Sequence, residues 1–314
     1  MSARPATGGV RRRLDATRWH FQHGPIDCIV SAEGDGAAVA AAIEAAWDRF
    51  RPLLAELVGD LPLLRADLSS AALVMPRGSV ARRMVAACRP HGEDGRFITA
   101  MAAVAGSVAE ELLGAFDDPG IARASINNGG DIAVRLAPGT SFEVGLCADP
   151  RRGVAGAPLD GRFTLVASSP VRGVATSGWR GRSFSLGIAD SVTVLATTAS
   201  AADAAATIVA NAVDVDAAGI VRTPASALRD DSDLGDRLVV HAVPPLSLEL
   251  IGLALARGAA EAREQIRAGR IVGAVLSLQG RWRVVGTVGS APAIDAVLPA
   301  PAPRRCDEPV AAVC

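Results

Sequence analysis

The sequence predicts an α+β fold, and three observations carry that reading. Segments with helical periodicity cluster between residues 37 and 116, and short strands punctuated by glycine and Asp-Pro fill residues 124–190. The two kinds of segment do not alternate strand, helix, strand, as a doubly wound sheet requires. At 314 residues the chain can bury roughly three quarters of the surface its unfolded form exposes, so it needs no covalent staples. The expectation is one large domain or two intimately packed halves.

Taken in order, residues 1–18 are basic and polar and read as a flexible N-terminus. Trp19–Phe21 and Ile26–Ser31 flank Gly24-Pro25, the pattern of two strands meeting at a turn. Ala37 to about Val58 is an amphipathic helix with Val39, Ile43, Ala46, Trp47 and Phe50 on one side. Further helices are expected at Val80–Ala87 and from about Thr99 to Phe116, where Asp117-Asp118-Pro119-Gly120 stops the chain. Short strands follow at Ser125-Ile126, Ile132–Leu136, Phe142–Leu146, Phe163–Ala167 and Gly173–Thr176. A β-branched run, Ser191–Thr198, leads into a helix at Ala201–Val213. The last third offers a strand at Leu238–Ala242, a helix at Ser247–Ala268, and two strands, Ile271–Leu278 and Trp282–Thr287, joined across Gln279-Gly280. Five prolines between Pro292 and Pro309 make residues 290–314 read as a disordered tail. That leaves one α+β domain over residues 19–289.

Composition excludes several function classes. Thirty-two basic residues against 33 acidic ones give a net charge of −1, which argues against a nucleic-acid binder. Every basic residue is arginine, and tyrosine is absent, so a Schiff-base lysine, a P-loop lysine and a catalytic tyrosine are all excluded. Cys28, Cys88, Cys147, Cys306 and Cys314 form no C-x-x-C pair, which fits reduced thiols rather than a disulfide or zinc framework. No apolar stretch follows Arg11–Arg13, and Glu44, Glu110, Glu111 and Asp203 break the most apolar windows, so neither a secretory leader nor a membrane span is expected. The expected setting is cytoplasmic. The alanine-rich helices could pack closely against a second subunit to form a homo-oligomer.

Three segments could carry chemistry. In Ser200–Thr207, Asp203 and Thr207 stand four apart, one turn apart on one helical face, and Asn211 continues the stripe. A carboxylate and a hydroxyl so placed offer hard oxygen ligands to Mg²⁺. The same residues also read as a capping arrangement, with Ser200 at the N-cap and Asp203 at the third helical position. In Asn127-Asn128-Gly129-Gly130-Asp131, paired glycines allow positive φ and close backbone approach; a tight turn with an Asx hydrogen bond explains them equally. In Thr176-Ser177-Gly178, hydroxyls lie near Arg172, Arg180 and Arg182 and could hold phosphate oxygens, or could form a polar hairpin facing water. No G-x-S-x-G motif occurs, and His20, His23, His91 and His241 lie far from these segments in sequence. The acidic run Asp230–Asp236 lacks a calcium loop's distal glutamate and reads as a solvated turn.

Five pieces in register, covering about residues 125–213, resemble the C-terminal half of the ApbE-type FAD:protein FMN transferases. They are Ser125–Ile132 with its Gly-Gly-Asp; Phe142–Leu146 with Asp149-Pro150; Val174–Gly178 with Thr-Ser-Gly; Ser191–Val194; and Ala202-Asp203-Ala204 with Thr207. Met101–Ser107 is similar to the family's Ala-Lys-Gly helix. With Gly187–Asp190 and Asp231–Gly235 added, the whole chain looks closer to the UPF0280 family, an ApbE-like branch.

The resemblance implies an ApbE-like fold of mixed sheets packed with helices. It also implies Mg²⁺ on Asp203 and Thr207, with Ala105 supplying a backbone carbonyl. Gly129, Gly130, Asp131, Thr176, Ser177, Gly178 and Arg182 would line a cleft for FAD or FMN. The sequence departs from the transferases in Ser183–Asp190, which contains neither the histidine nor the proline of their His-Ile-Ile-Asp-Pro stretch. Asp190 is left as the nearest candidate for a catalytic base, and it reads equally as a structural aspartate at a strand start. The implied function is transfer or hydrolysis at the diphosphate of a small flavin or nucleotide ligand. The alternatives are a non-catalytic flavin carrier and a cofactor-biosynthesis enzyme using another substrate in the same cleft.

Overall fold

The computed structural model describes residues 8–69, 74–148 and 159–288, together with the backbone of 291–292, 297–299 and 311–313. Asp149-Pro150, Cys306 and Cys314 lie outside the described residues.

The strand pattern assembles one long antiparallel sheet. Its strands, in chain order, are β1 (Val10–Arg13), β2 (Arg18–His23), β3 (Ile26–Gly34), β4 (Ile121–Asn128), β5 (Asp131–Leu136), β8 (Gly173–Ser177), β9 (Ser191–Ala196), β12 (Gly273–Leu278) and β13 (Arg281–Val288). They lie side by side in that same order. Between β5 and β8 the chain makes a separate hairpin of β6 (Ser141–Leu146) and β7 (Gly161–Val166). A small ribbon pairs β10 (Val221–Pro224) with β11 (Leu238–Ala242).

Helices cover one face of the long sheet. α1 (Gly36–Gly59) starts where Asp35 accepts from the amides of Ala37 and Ala38, both at 3.0 Å. Its buried residues Ala42, Ile43, Ala46, Phe50, Leu53 and Leu57 recur at three- and four-residue spacing. Phe21, Trp47 and Phe50 stack where α1 crosses β2, with centroids 5.1–5.6 Å apart. The short α2 (Leu61–Leu64) follows, then α3 (Ser79–Glu93) and α4 (Val104–Leu113), which complete a core over β2–β4. A second core lies between β8, β9 and β12 and the helices α5 (Ala199–Ala212) and α7 (Leu248–Arg267). The short α6 (Ala225–Leu228) follows β10. A third core forms on the sheet's other face, under β6 and β7.

Helices and strands fall where periodicity placed them, and the class is α+β. Two terminal expectations are corrected. Val10–Arg13, inside the stretch read as flexible, pairs with Trp19–Gln22 as an edge strand. From the tail read as disordered, β14 (Ala291–Pro292) and β15 (Val297–Pro299) pair with β13, and β16 (Ala311–Val313) pairs in parallel with β6. Arginine and proline are what edge strands tolerate, which is why composition misled here. Cys28 and Cys88 are free and buried, and Cys147 is buried. Among the described residues no helix is long and apolar enough to cross a membrane.

Candidate functional site

The site is built at the end of the sheet where the β4–β5 turn, the start of α4 and the first turns of α5 converge. Pairing of Asn128 with Asp131 leaves Gly129-Gly130 as a two-residue turn, with φ of +65° and +111°. That is the left-handed backbone such a hairpin needs, and the Asn127 side chain accepts from the Gly130 amide at 2.8 Å. A Cβ on Gly129 would run into the guanidinium of Arg182, so the arginine lies directly on this turn. The Asx-turn reading of these residues is therefore correct, and the arginine is an addition that sequence order could not show.

Asp131 opens β5 and is 8% exposed. Its Oδ1 accepts from the Thr176 amide at 3.0 Å. Burial pushes its carboxyl up to about 7, against the pull of that amide and the charge of Arg182. Asp203 is held well above the usual carboxylate range, first by burial and then by the charge of Asp131. The two acids thus lie close enough for the charge of one to act on the other, which sequence reading missed; their separation in the chain left no signal.

The capping arrangement expected at α5 is not the one formed. Thr198, not Ser200, is the N-cap, and its hydroxyl accepts from the Ala201 amide at 3.2 Å. Asp203 is the fifth residue from Ala199, beyond the open amides of its own helix. Its carboxylate reaches instead to α4, accepting from the Gly106 amide at 2.9 Å and from the Ala105 amide. Ala105 therefore meets Asp203 through its N–H. Within a helix the carbonyl points the opposite way, and that of Ala105 accepts from Asn128 Nδ2 at 3.2 Å. The carbonyl-ligand role for Ala105 is withdrawn on that geometry. Thr207 sits half-buried one turn beyond Asp203 on α5. Asn211 does not extend the stripe: its Oδ1 accepts from the Leu186 amide at 2.9 Å and braces the loop before β9.

On β8, the Thr176 hydroxyl is 2.8 Å from that of Thr193. Ser177 follows half-buried, and Gly178 lies flat against the carbonyls of Ala189 and Asp190. Asp190 is fully engaged. Its Oδ1 accepts from Arg180 Nε at 2.6 Å and Trp179 Nε1 at 3.2 Å, and its Oδ2 accepts from the Gln279 amide at 2.5 Å. A carboxylate so committed braces the β9 start and the β12–β13 turn, and the base role expected of it is withdrawn. Arg172 is spent on the carbonyls of Ala167, Ser169 and Val171. Of the three arginines read near Thr-Ser-Gly, only Arg182 acts on the acid pair.

Among the described residues no cluster of three or more His, Cys, Asp or Glu side chains is assembled. A cation held here would draw on hydroxyl and ligand oxygens beside the two carboxylates, the donor set of a hard divalent ion.

The UPF0280 protein of Methanosphaerula palustris is 39% identical over 138 residues, covering 43% of this chain and 53% of that protein. The UPF0280 protein of Methanococcoides burtonii is 33% identical over 170 residues, 53% of this chain and 66% of that protein. The chain thus spans about half to two thirds of the length of these curated relatives. Among solved structures, the ApbE protein of Thermotoga maritima covers 89% of this chain and 97% of its own, with a TM-score of 0.42 and 14% identity. The family described as AbpE bacteria matches residues 11–284, and the chain, ApbE-like and similar to the UPF0280 proteins, belongs to that family.

Proposed function

We propose that this ApbE-like protein holds Mg²⁺ beside the diphosphate of a flavin or adenine nucleotide. One observation carries the reading: Asp131 is buried, half-buried Asp203 lies close enough to feel its charge, and both carboxyls are pushed up rather than down. Two neighbouring acids, one buried and one half-buried, without a matching pair of positive charges are a standing electrostatic cost, and a divalent cation is the species that removes it. The donors present fit such an ion: the carboxylates of Asp203 and Asp131 and the hydroxyl of Thr207. Mg²⁺ would supply positive charge to the phosphoryl oxygens of the ligand. Arg182, over the Gly129-Gly130 turn, would offset charge on the same phosphates, and the hydroxyls of Thr176 and Ser177 would orient the ligand.

The first form of the function is transfer or hydrolysis at the diphosphate. The second is a non-catalytic holder of the cofactor. It is favoured by Asp190, whose oxygens are all engaged, and by Ser183–Asp190, which carries no histidine.

The test is a thermal-shift titration of FAD, FMN and ADP with and without Mg²⁺, on wild type and Asp203→Asn. Wild type should gain stability that requires both nucleotide and Mg²⁺, about 2.7 kcal/mol for a ligand at 100 times its Kd. Asp203→Asn should lose the Mg²⁺-dependent part; a variant that responds like wild type would refute the site. Incubating FAD with the Mg²⁺-loaded protein separates the two forms, because release of AMP marks an enzyme and intact FAD marks a holder.

A further inference from the structure

α4 and α5 meet at their N-terminal ends. A Cβ on Gly106, the third residue of α4, would collide with the carbonyl oxygen of Ala199, the first residue of α5. Backbone therefore lies on backbone at this point. Both helices carry open amides there, and the residue before α4, Ala103, has no side chain that could close them. Each helix closes open amides of the other, beside the Thr198 cap of α5. From α5, Asp203 accepts from the Ala105 and Gly106 amides. From α4, Glu110 Oε2 accepts from the Ser200 amide at 3.1 Å and the Ser200 hydroxyl at 2.8 Å. Glu110 is itself held by Arg83 of α3, at 3.1 Å.

We infer that Glu110 is a positioning residue for the cation site, acting through α5 to hold Asp203 in place; the inference rests on the Mg²⁺ reading above. Glu110 fixes the first turn of α5 against α4, and Asp203 sits one turn further along the same helix. The paired contacts set the distance and rotation of α5, and with them where the Asp203 carboxylate stands relative to Asp131. Glu111, the next residue, provides the contrast. It bonds Arg49, Arg83 and Ser79 and caps no part of α5, so it stabilises the helices without steering Asp203.

The experiment measures two things on the full chain: amide hydrogen exchange at Gly106 and Ser200, and the concentration of MgCl₂ giving half-maximal thermal stabilisation. Glu110→Ala should speed exchange at both amides and raise the Mg²⁺ midpoint several-fold, less than the roughly tenfold or greater loss usual when a direct hydrogen-bond partner of a ligand is removed, because Glu110 acts through α5. Glu110→Gln retains an oxygen acceptor and should restore most of both. Glu111→Gln should lower the melting temperature and leave the Mg²⁺ midpoint unchanged. Where Glu110→Ala fails to fold, Ser200→Ala, which removes one of the two bonds to Glu110, should shift the midpoint in the same direction by less. A wild-type midpoint with wild-type Gly106 exchange in these variants overturns the inference, as does a Glu111→Gln midpoint shifted as far. A wild type indifferent to Mg²⁺ instead defeats the Mg²⁺ reading, and Gly106 exchange in Glu110→Ala then decides the clamp alone.

Discussion

Two pairs of acids lie on neighbouring elements and are treated in opposite ways. Glu111 has a side chain 14% exposed, and it receives Arg83 Nη1 at 2.6 Å, Arg49 Nε at 2.8 Å and the Ser79 hydroxyl at 2.7 Å. Burial alone would raise its carboxyl, but those three donors pull it down to about 2. Glu110 beside it has Arg83 and Ser200. Asp131 is also buried and Asp203 half-buried, yet they receive backbone amides and the repulsion between them, and only Asp131 gains the through-space charge of Arg182. The cost of burial is common to both regions, and the compensation is not. In the first the fold completes the ion pairs itself and gains rigidity. In the second it leaves a deficit, which is where a ligand can contribute.

The largest effect that could break this contrast is at Asp131. Its folded-state value of about 7 lies above its ordinary 3.8, so between those two pH values the folded chain holds a proton that the unfolded chain has released. Stability in the absence of divalent cations should therefore fall as pH rises through that window. Asp131→Asn still accepts from the Thr176 amide and carries no charge. It should be more stable than wild type at pH 8 by on the order of 3 kcal/mol, and close to it at pH 4. Urea unfolding at the two pH values measures this. A variant less stable than wild type at pH 8 would mean that the acid pair carries no such cost.

Glu111 should show the opposite sign and a smaller size. A carboxyl held near 2 against an ordinary 4.5 contributes stability that is present above about pH 4.5 and is lost as pH falls toward 2. Glu111→Gln should cost about 2 kcal/mol at pH 7. The difference from wild type should shrink steadily on acidification. A pH-independent difference would assign the loss to packing and remove Glu111 from the comparison.

How far each region could be read from the sequence follows from the reach of its contacts. α1, the hairpin at Gly24-Pro25 and the turn at Gly129-Gly130 are local patterns, and the sequence displays them. So is the four-residue spacing of Asp203 and Thr207. The cap of α5 was misassigned because Thr198 and Ser200 are both good N-caps, and only the backbone at Thr198, extended at φ −137°, selects one. Asp190 looked available because its partners, Arg180 and Gln279, meet it only after β9 and β12 pair. The Glu110–Ser200 and Asp203–Gly106 contacts span 90 and 97 residues, and no periodicity encodes contacts at that range. The convergence of Asp131 on Asp203 has the same origin: both belong to elements that were foreseen, and only the order of strands in the sheet brings them together.

The smallest expected effect on the cation-free protein is the sharpest test of what Asp203 is for. Asp203 caps α4 whether or not a cation is present, so any substitution there mixes a structural loss with a loss of binding. Thr207 does not have this ambiguity. It lies beyond the first turn of α5, and threonine and valine differ little in helix propensity or shape. Thr207→Val should therefore change the stability of the cation-free protein by no more than about 0.5 kcal/mol. If the hydroxyl is a ligand, the same variant should lose most of the Mg²⁺-dependent stabilisation in the presence of a flavin or adenine nucleotide. A carboxylate that served only as the cap of α4 would give a different pattern, in which Asp203→Asn weakens the fold and Thr207→Val responds to Mg²⁺ as wild type does. Titrating Mg²⁺ against the two variants side by side distinguishes these outcomes. In the second outcome, Asp131 and Asp203 would be a cost that the fold carries for packing alone.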